Sequence, residues 1–232
     1  MDGIPVGQGG GAPATGPTKE ADLPVVKPGC GIPYRMDNDG NCVRLCPVNY
    51  RYDIEIKGCV LDKPCDGDPV KNPEIAPQTN SGIEGGMHDT CARKDDSRSC
   101  KGVKGSRWHN GVDIKNTYGA PVHAVHAGTA SKYLQPSGAG YYVAVVSQIN
   151  DATIRMVYFH LQEAGRASGE LEAGDIVGYQ GDSGNLKEAI EEKFTVSHVH
   201  IKAQKNGAHV DPLEYFHTQT DPVTGQVTNP CN

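Results

Sequence analysis

Short apolar runs alternate with turn residues along the second half of the chain. Each run is rich in β-branched or aromatic residues and is bounded by Gly, Asn, Asp or Ser, which is typical of β-strands. One stretch, 186–194, instead places its apolar residues near one face of a helix. The pattern predicts a mainly β, antiparallel domain of roughly a hundred residues around one core. The predicted strands are 121–133, 141–148, 153–161, 175–180 and 196–204.

The first 65 residues have a different character. Residues 1–29 are rich in Gly, Pro and Ala and carry little apolar content, so we predict a flexible tail. Residues 30–65 hold five of the eight cysteines of the chain. Because a segment this short cannot build a sufficient hydrophobic core, we predict a small Cys-rich module stapled by disulfides. The β-domain is then the third predicted segment, 66–232, with its core at about 105–216.

The remaining cysteines are Cys91, Cys100 and Cys231. Cys91 and Cys100 can close a short loop, which leaves an odd cysteine of the first cluster to reach Cys231. The spacings lack the paired Cys-x-x-Cys knuckles of a zinc ribbon, and an even total favours a disulfide framework. Disulfides form in oxidising compartments, so we expect a secreted or periplasmic protein, although the first residues lack the features of a signal peptide.

Charge and hydropathy exclude several classes of partner. The 232 residues include 22 Lys and Arg against 28 Asp and Glu, which gives a net charge of −6. This is not the basic footprint of a nucleic-acid-binding protein. No apolar run reaches the roughly 18 residues of a membrane helix. We therefore expect no nucleic acid and no membrane span, and we expect a monomer.

Three histidine patterns in the β-domain carry candidate chemistry. His109 and Asp113 are four residues apart, so an extended chain presents both on one face. His198 and His200 are two apart on a predicted strand and share a face in the same way. His160 ends another predicted strand. Imidazole nitrogens and a carboxylate oxygen are ligands that suit zinc, and three of them leave one position for water.

These motifs resemble a known family. In order, the chain contains HNGVD from His109, YFHL around His160, GDSGN, HVH from His198, and KNGAHVDPLEYF. This succession is similar to that of the lysostaphin/LytM-type zinc metalloendopeptidases, which cut peptidoglycan peptides, and it covers about residues 105–216. The resemblance implies a groove over an antiparallel sheet. It also implies one Zn²⁺ per chain, with His109, Asp113 and His200 as ligands and His160 and His198 as catalytic non-ligand histidines.

The implied activity is zinc-dependent hydrolysis of peptide bonds in peptidoglycan stem or cross-bridge peptides. We expect His198 to act as the base and His160 to stabilise the oxyanion, although sequence cannot separate these roles. The chain retains all three ligand positions, which favours an active enzyme. The stretch 185–195 is longer than is usual in the family, and we expect it to reshape one wall of the groove.

Two other readings stay open. The groove could bind cell-wall polymer or regulate a hydrolase without cleaving, and residues 1–65 could target the polymer or occlude the groove. The basic segment 93–107 leads directly into His109, so it either lines the groove and attracts peptide carboxylates or forms a solvated disulfide loop.

The other histidines receive structural assignments. His123 and His126 are three apart on a predicted strand and so point to opposite faces. We assign His88, His209 and His217 to the surface.

Overall fold

The chain divides into two units, Met1–Leu61 and Asp62–Asn232. The structure, a computed structural model, describes residues 63–230 and four strands in the first unit. Those strands form two antiparallel pairs, β1 (Tyr34–Met36) with β2 (Cys42–Arg44), and β3 (Tyr50–Asp53) with β4 (Gly58–Leu61). The predicted flexible tail, 1–29, and the predicted link from the first cysteine cluster to Cys231 lie outside the described residues.

The second unit is mainly β, as predicted. Its helical elements are one short α-helix, α1 (Leu186–Glu191), and two 3₁₀ turns, Glu84–Gly86 and Pro212–Tyr215. No helix in the described part of the chain has the length and apolar character needed to cross a membrane. The strands are β5 (Thr90–Cys100), β6 (Val103–His109), β7 (Val112–Lys115), β8 (Pro121–His123), β9 (Gly128–Gln135), β10 (Gly140–Ile149), β11 (Ala152–Leu161), β12 (Gly169–Leu171), β13 (Ile176–Tyr179), β14 (His198–Lys205) and β15 (Ala208–Val210).

A seven-stranded antiparallel sheet forms the centre of this unit. Its order is β12-β9-β10-β11-β14-β15, and β7 pairs with the first half of β14. Strand β11 is central, and residues 156–161 are all buried, which explains their nearly continuous apolar sequence. On the face of the main core, Tyr158 is fully buried and its hydroxyl accepts a hydrogen bond from the Val125 amide at 2.9 Å. On the other face, Phe159 packs with Ala144 and Val157.

The predicted strand 121–133 is wrong, because the chain bends at 124–127 and forms two strands, β8 and β9. Strand β8 pairs with β13 outside the large sheet, whereas β9 pairs with β10 inside it. The bend places Gly128 against β10, where a Cβ atom would lie 2.4 Å from the Val146 carbonyl oxygen. The predicted helix 186–194 is shorter than expected, ending at Glu191, and Lys193 has a positive φ of 59° that a helix cannot continue through.

The basic segment forms a hairpin of β5 and β6, which the sequence pattern did not predict because its side chains are mostly polar or charged. Two residues connect the strands, Lys101 and Gly102, and both have positive φ, as the tight turns that suit hairpins require. The Cys91–Cys100 disulfide closes within this hairpin, so the pairing that the spacing allowed is formed. Cys59 and Cys65 are also disulfide-bonded.

Candidate metal centre and its cleft

The sheet brings together the three side chains that the sequence motifs singled out as ligands. His109 ends β6, Asp113 lies on β7 and His200 lies on β14. Asp113 and His200 are direct partners in the antiparallel register, so their side chains lie side by side. The stretch between His109 and Asp113 is not one continuous strand, since the chain turns at Asn110 and Gly111. A Cβ atom on Gly111 would lie 2.3 Å from the Ile201 carbonyl oxygen and 2.8 Å from the His200 ring, so this turn requires glycine.

The distances between the candidate ligand atoms fit a single small ion. His109 Nε2 lies 3.0 Å from His200 Nδ1 and 3.4 Å from Asp113 Oδ1, and His200 Nδ1 lies 2.7 Å from that oxygen. All three residues are buried, and their ligand atoms lie within 4.8 Å of one another. Two imidazole nitrogens and one carboxylate oxygen form a donor set that can hold a divalent transition metal.

Hydrogen bonding and burial keep these three side chains in the protonation states that bind a cation. His109 Nδ1 lies 2.6 Å from the Met87 carbonyl oxygen, which can only accept, so this nitrogen carries the proton and Nε2 keeps its lone pair. Burial lowers the pKa of His109, and it lowers the pKa of His200 well below its ordinary value, which keeps both rings neutral. Burial raises the pKa of Asp113, but the charge of Arg93, together with His198 and His109, outweighs this and holds the carboxyl pKa well below its ordinary value.

The two oxygens of Asp113 have separate partners. Oδ1 faces His109 and His200, whereas Oδ2 accepts hydrogen bonds from Gln78 Nε2 at 2.9 Å and from Arg93 Nη2. Gln78 also donates to Thr195 Oγ1, so the chain before β5 is tied to the segment before β14. Sequence reasoning missed Gln78 and Arg93, because nothing in their spacing relates them to Asp113. The only sequence signal was the excess of basic residues next to His109.

The two predicted non-ligand histidines lie in the same cleft. His160 Nδ1 lies 2.9 Å from the Ser183 carbonyl oxygen, and His198 Nδ1 lies 2.7 Å from that of Val196, so both rings hold their Nδ1 proton and leave Nε2 unprotonated when neutral. The rings meet edge to face with centroids 5.7 Å apart. His198 Nε2 lies 3.5 Å from Asp113 Oδ2. Burial, followed by the neighbouring His198, lowers the pKa of His160 to about 4.

The backbone of His160 is unusual, with φ at +61°. This left-handed conformation is rare for a residue other than glycine. Its amide donates to the Ala139 carbonyl at 3.0 Å, and its carbonyl accepts from the Gly181 amide at 2.9 Å. These two bonds hold the ring between the loops on either side of β11.

All five predicted site residues line one open cleft of about 350 Å³. Arg93, Arg98, Arg107 and Lys202 line it as well, so the basic hairpin forms part of its wall. A second cleft of about 560 Å³ adjoins it and shares Arg93, Arg107 and Asn185. It is bordered by Glu188 of helix α1 and by Glu192, the residue after the helix. The long stretch 185–195 therefore borders a cleft next to the candidate metal centre.

The remaining histidines lie elsewhere in the described unit. His123 is buried on β8, where Nδ1 lies 2.8 Å from the Gly174 carbonyl oxygen, and His126 lies beyond the end of that strand rather than on it. His209 and His217 are exposed, as predicted, whereas His88 is half-buried and the surface assignment for it is wrong.

Comparisons with known proteins agree with this arrangement. Residues 107–212 match the family model of Peptidase family M23. The DD-carboxypeptidase/endopeptidase Mpg of Neisseria meningitidis serogroup B and that of Neisseria gonorrhoeae are each 28% identical to this chain over 107 residues. The aligned stretch is 46% of this chain but only 22% of the length of these relatives.

Solved structures of several peptidases are also similar to this chain. The catalytic domain of the antimicrobial peptidase lysostaphin from Staphylococcus simulans is 22% identical, with 53% of this chain and 86% of that chain covered and a TM-score of 0.39. A zinc-containing peptidase from Vibrio cholerae is 19% identical, with 77% and 45% covered and a TM-score of 0.45. The family match includes His109, Asp113, His160, His198 and His200. Residues 107–212 of this chain form a peptidase family M23 domain.

Proposed function

We propose that this protein is a zinc-dependent endopeptidase that hydrolyses peptide bonds in the stem or cross-bridge peptides of bacterial peptidoglycan. The observation that carries the proposal is the convergence of His109 Nε2, Asp113 Oδ1 and His200 Nδ1 within 4.8 Å in an open cleft that also contains His160 and His198. The family match supports a peptidase, and the motif resemblance to lysostaphin/LytM-type enzymes supports peptidoglycan as the polymer. Such an enzyme acts outside the cytoplasm, in agreement with the disulfides.

The three converging side chains are the proposed zinc ligands, one ion per chain. When bound, zinc supplies a Lewis acid that polarises a peptide carbonyl and lowers the pKa of water towards about 7. Asp113 would hold the ion through Oδ1, because Gln78 and Arg93 occupy Oδ2. His109 is oriented by its bond to the Met87 carbonyl, and such outer partners raise the basicity of a ligating imidazole.

His198 is the proposed base. Its Nδ1–H is held by the Val196 carbonyl, so its free Nε2 accepts the proton of the attacking water. That nitrogen faces the ligand carboxylate at 3.5 Å, which stabilises the imidazolium once it has formed. After proton transfer, the same nitrogen is a donor and can protonate the leaving amine.

His160 has the same neutral tautomer as His198, with its proton on Nδ1, and this limits the roles that its ring can play. A neutral ring whose Nδ1–H is bound to the Ser183 carbonyl presents a lone pair at Nε2 and cannot donate there to an oxyanion. With its pKa lowered to about 4 by burial and His198, the ring is neutral near pH 7. Sequence analysis predicted oxyanion stabilisation for His160. The hydrogen bonding favours instead a second proton-accepting position.

The test combines metal content with solubilisation of the polymer. Dye-labelled peptidoglycan should release dye with the zinc-loaded protein, and a chelator should abolish the release; product masses then identify the bond that is cut. A binding module would bind the labelled polymer without chelator-sensitive release. Protein that takes up no zinc, or that releases no dye when zinc is stoichiometric, would refute the proposal.

A further inference from the structure

The hairpin of β5 and β6 sets two arginines directly opposite each other. Arg93 and Arg107 are cross-strand partners in the register, and like charges in that position repel. Arg93 is compensated by its ion pair with the buried carboxylate of Asp113. The side chain of Arg107 is half-buried and forms neither a hydrogen bond nor an ion pair with any described residue, and the charge of Asp95 acts on it only from beyond ion-pair distance. The hairpin therefore holds one half-buried guanidinium group without an ion pair or a hydrogen bond to a described residue.

Lys202 is a second half-buried cation that forms no ion pair with a described residue. It lies on β14 two residues after His200, so the two side chains share a face of the strand. Its ammonium group lies 5.0 Å from the centre of the Phe159 ring, and no described carboxylate lies within ion-pair distance of it. Lys202 and Arg107 are both half-buried, so both charges are held partly out of water.

Both cations line the cleft that contains the candidate metal centre. Among the described residues of that lining, Asp113 is the only carboxylate, and Arg93 occupies it. The nearby Asp95 is engaged by Ser97, with Oγ 2.6 Å from the carboxylate, and by Arg98 at 3.3 Å. The cleft thus presents two partly buried positive groups that form no ion pair with a described carboxylate, and an anionic ligand in direct contact would offset their desolvation.

We propose that Arg107 and Lys202 bind a carboxylate of the peptide that occupies this cleft. The inference rests on the proposed function for the peptide nature of the ligand, and it makes these two side chains specificity-determining residues for an acidic substrate. A guanidinium group binds a carboxylate through two parallel hydrogen bonds, and a partly desolvated site strengthens them. The carboxylate belongs either to an acidic side chain or to the C-terminus of the peptide.

Binding of a peptidoglycan stem pentapeptide distinguishes the two sources. The peptide is used as the free acid and in forms with each carboxyl group converted in turn to a carboxamide. Binding to the full chain is measured in chelator, so that hydrolysis does not compete, by the fluorescence of Trp108, the single tryptophan, which lines the same cleft. One carboxamide form should bind about 10- to 100-fold more weakly than the free acid, and its position identifies the source.

Matched variants assign the effect to the two cations. Arg107→Gln should remove the difference between that carboxamide and the free acid, and Arg107→Lys should keep part of it. Lys202→Gln should reduce the difference, whereas Lys205→Gln, the same change at an exposed position of β14, should not.

The possible outcomes separate this proposal from the peptidase proposal. Equal binding of all forms, no binding, or a difference that persists in Arg107→Gln would overturn the carboxylate site. Carboxylate-dependent binding without chelator-sensitive dye release would keep the site and remove the peptidase activity.

Discussion

The ion pair between Arg93 and Asp113 allows a direct test of how much this contact stabilises the folded domain. The perturbation is Arg93→Met, which keeps most of the apolar stem and removes the guanidinium group. Asp113 has 0% of its side chain exposed and Arg93 only 14%, so the change leaves a buried carboxylate without its cation. Arg93 Nε also donates to the Gly85 carbonyl at 2.8 Å, and this bond is lost as well.

The expected magnitude follows from these contacts. Removing one partner of a buried ion pair costs about 3–5 kcal/mol. Two effects reduce this cost, because Gln78 still donates to the same oxygen and the repulsion between Arg93 and Arg107 disappears. Relief of a cross-strand repulsion is worth up to about 1 kcal/mol. We therefore expect the free energy of unfolding of the metal-free protein to fall by about 2–4 kcal/mol.

Urea denaturation at pH 7 in chelator measures this change. Trp108 is the only tryptophan of the chain and lies on β6, so its fluorescence reports on the second unit and not on the first. Arg98→Met is the matched control on the same strand, since Arg98 is 66% exposed and should leave the urea midpoint nearly unchanged. Equal midpoint shifts in the two variants, or an unchanged midpoint for Arg93→Met, would refute this account of Asp113.

Further substitutions test the assigned roles. His200→Ala should abolish stoichiometric zinc binding, because two ligands hold the ion weakly; a full zinc equivalent by elemental analysis would contradict its role as a ligand. His198→Ala should retain zinc but lower the rate of peptidoglycan hydrolysis by about 10²- to 10⁴-fold, and an unchanged rate would remove His198 from the mechanism. Gly111→Ala should weaken zinc binding in a chelator competition, because its Cβ atom would collide with the Ile201 carbonyl and displace the His200 ring; unchanged affinity would show that the turn can relax.

Much of the candidate site could be predicted because its residues obey local spacing rules. His198 and His200 share a face because they lie two apart on a strand, and β14 forms where predicted. The pairing of β7 with β14 is not a local property and was not predicted; the family resemblance supplied only the expectation that Asp113 and His200 bind the same ion. The same resemblance anticipated the position of His160, whereas its left-handed backbone has no signal in the sequence.

The parts that could not be predicted depend on contacts between distant segments. Gln78 and Arg93 reach Asp113 across 35 and 20 residues of chain, and neither position carries a motif. Strands β5 and β6 were not predicted, because charged residues such as Asp and Lys have low β-propensity. A disulfide and a tight turn hold this hairpin together instead. The bend at 124–127 interrupts a run of strand-like residues, and only the pairing of β9 with β10 reveals it.

The left-handed backbone at His160 implies that the domain gives up some folding stability in order to fix the position of one imidazole ring. Holding a side chain with a Cβ atom in that conformation costs about 1–3 kcal/mol, which the rest of the fold must supply. The neighbouring loops enforce it, because Gly140 and Gly184 approach so closely that a Cβ atom on Gly184 would lie 2.4 Å from the Gly140 nitrogen. Selection for stability alone would favour glycine at position 160, because glycine adopts this conformation without strain. A histidine that is retained there is therefore expected to serve the chemistry of the site.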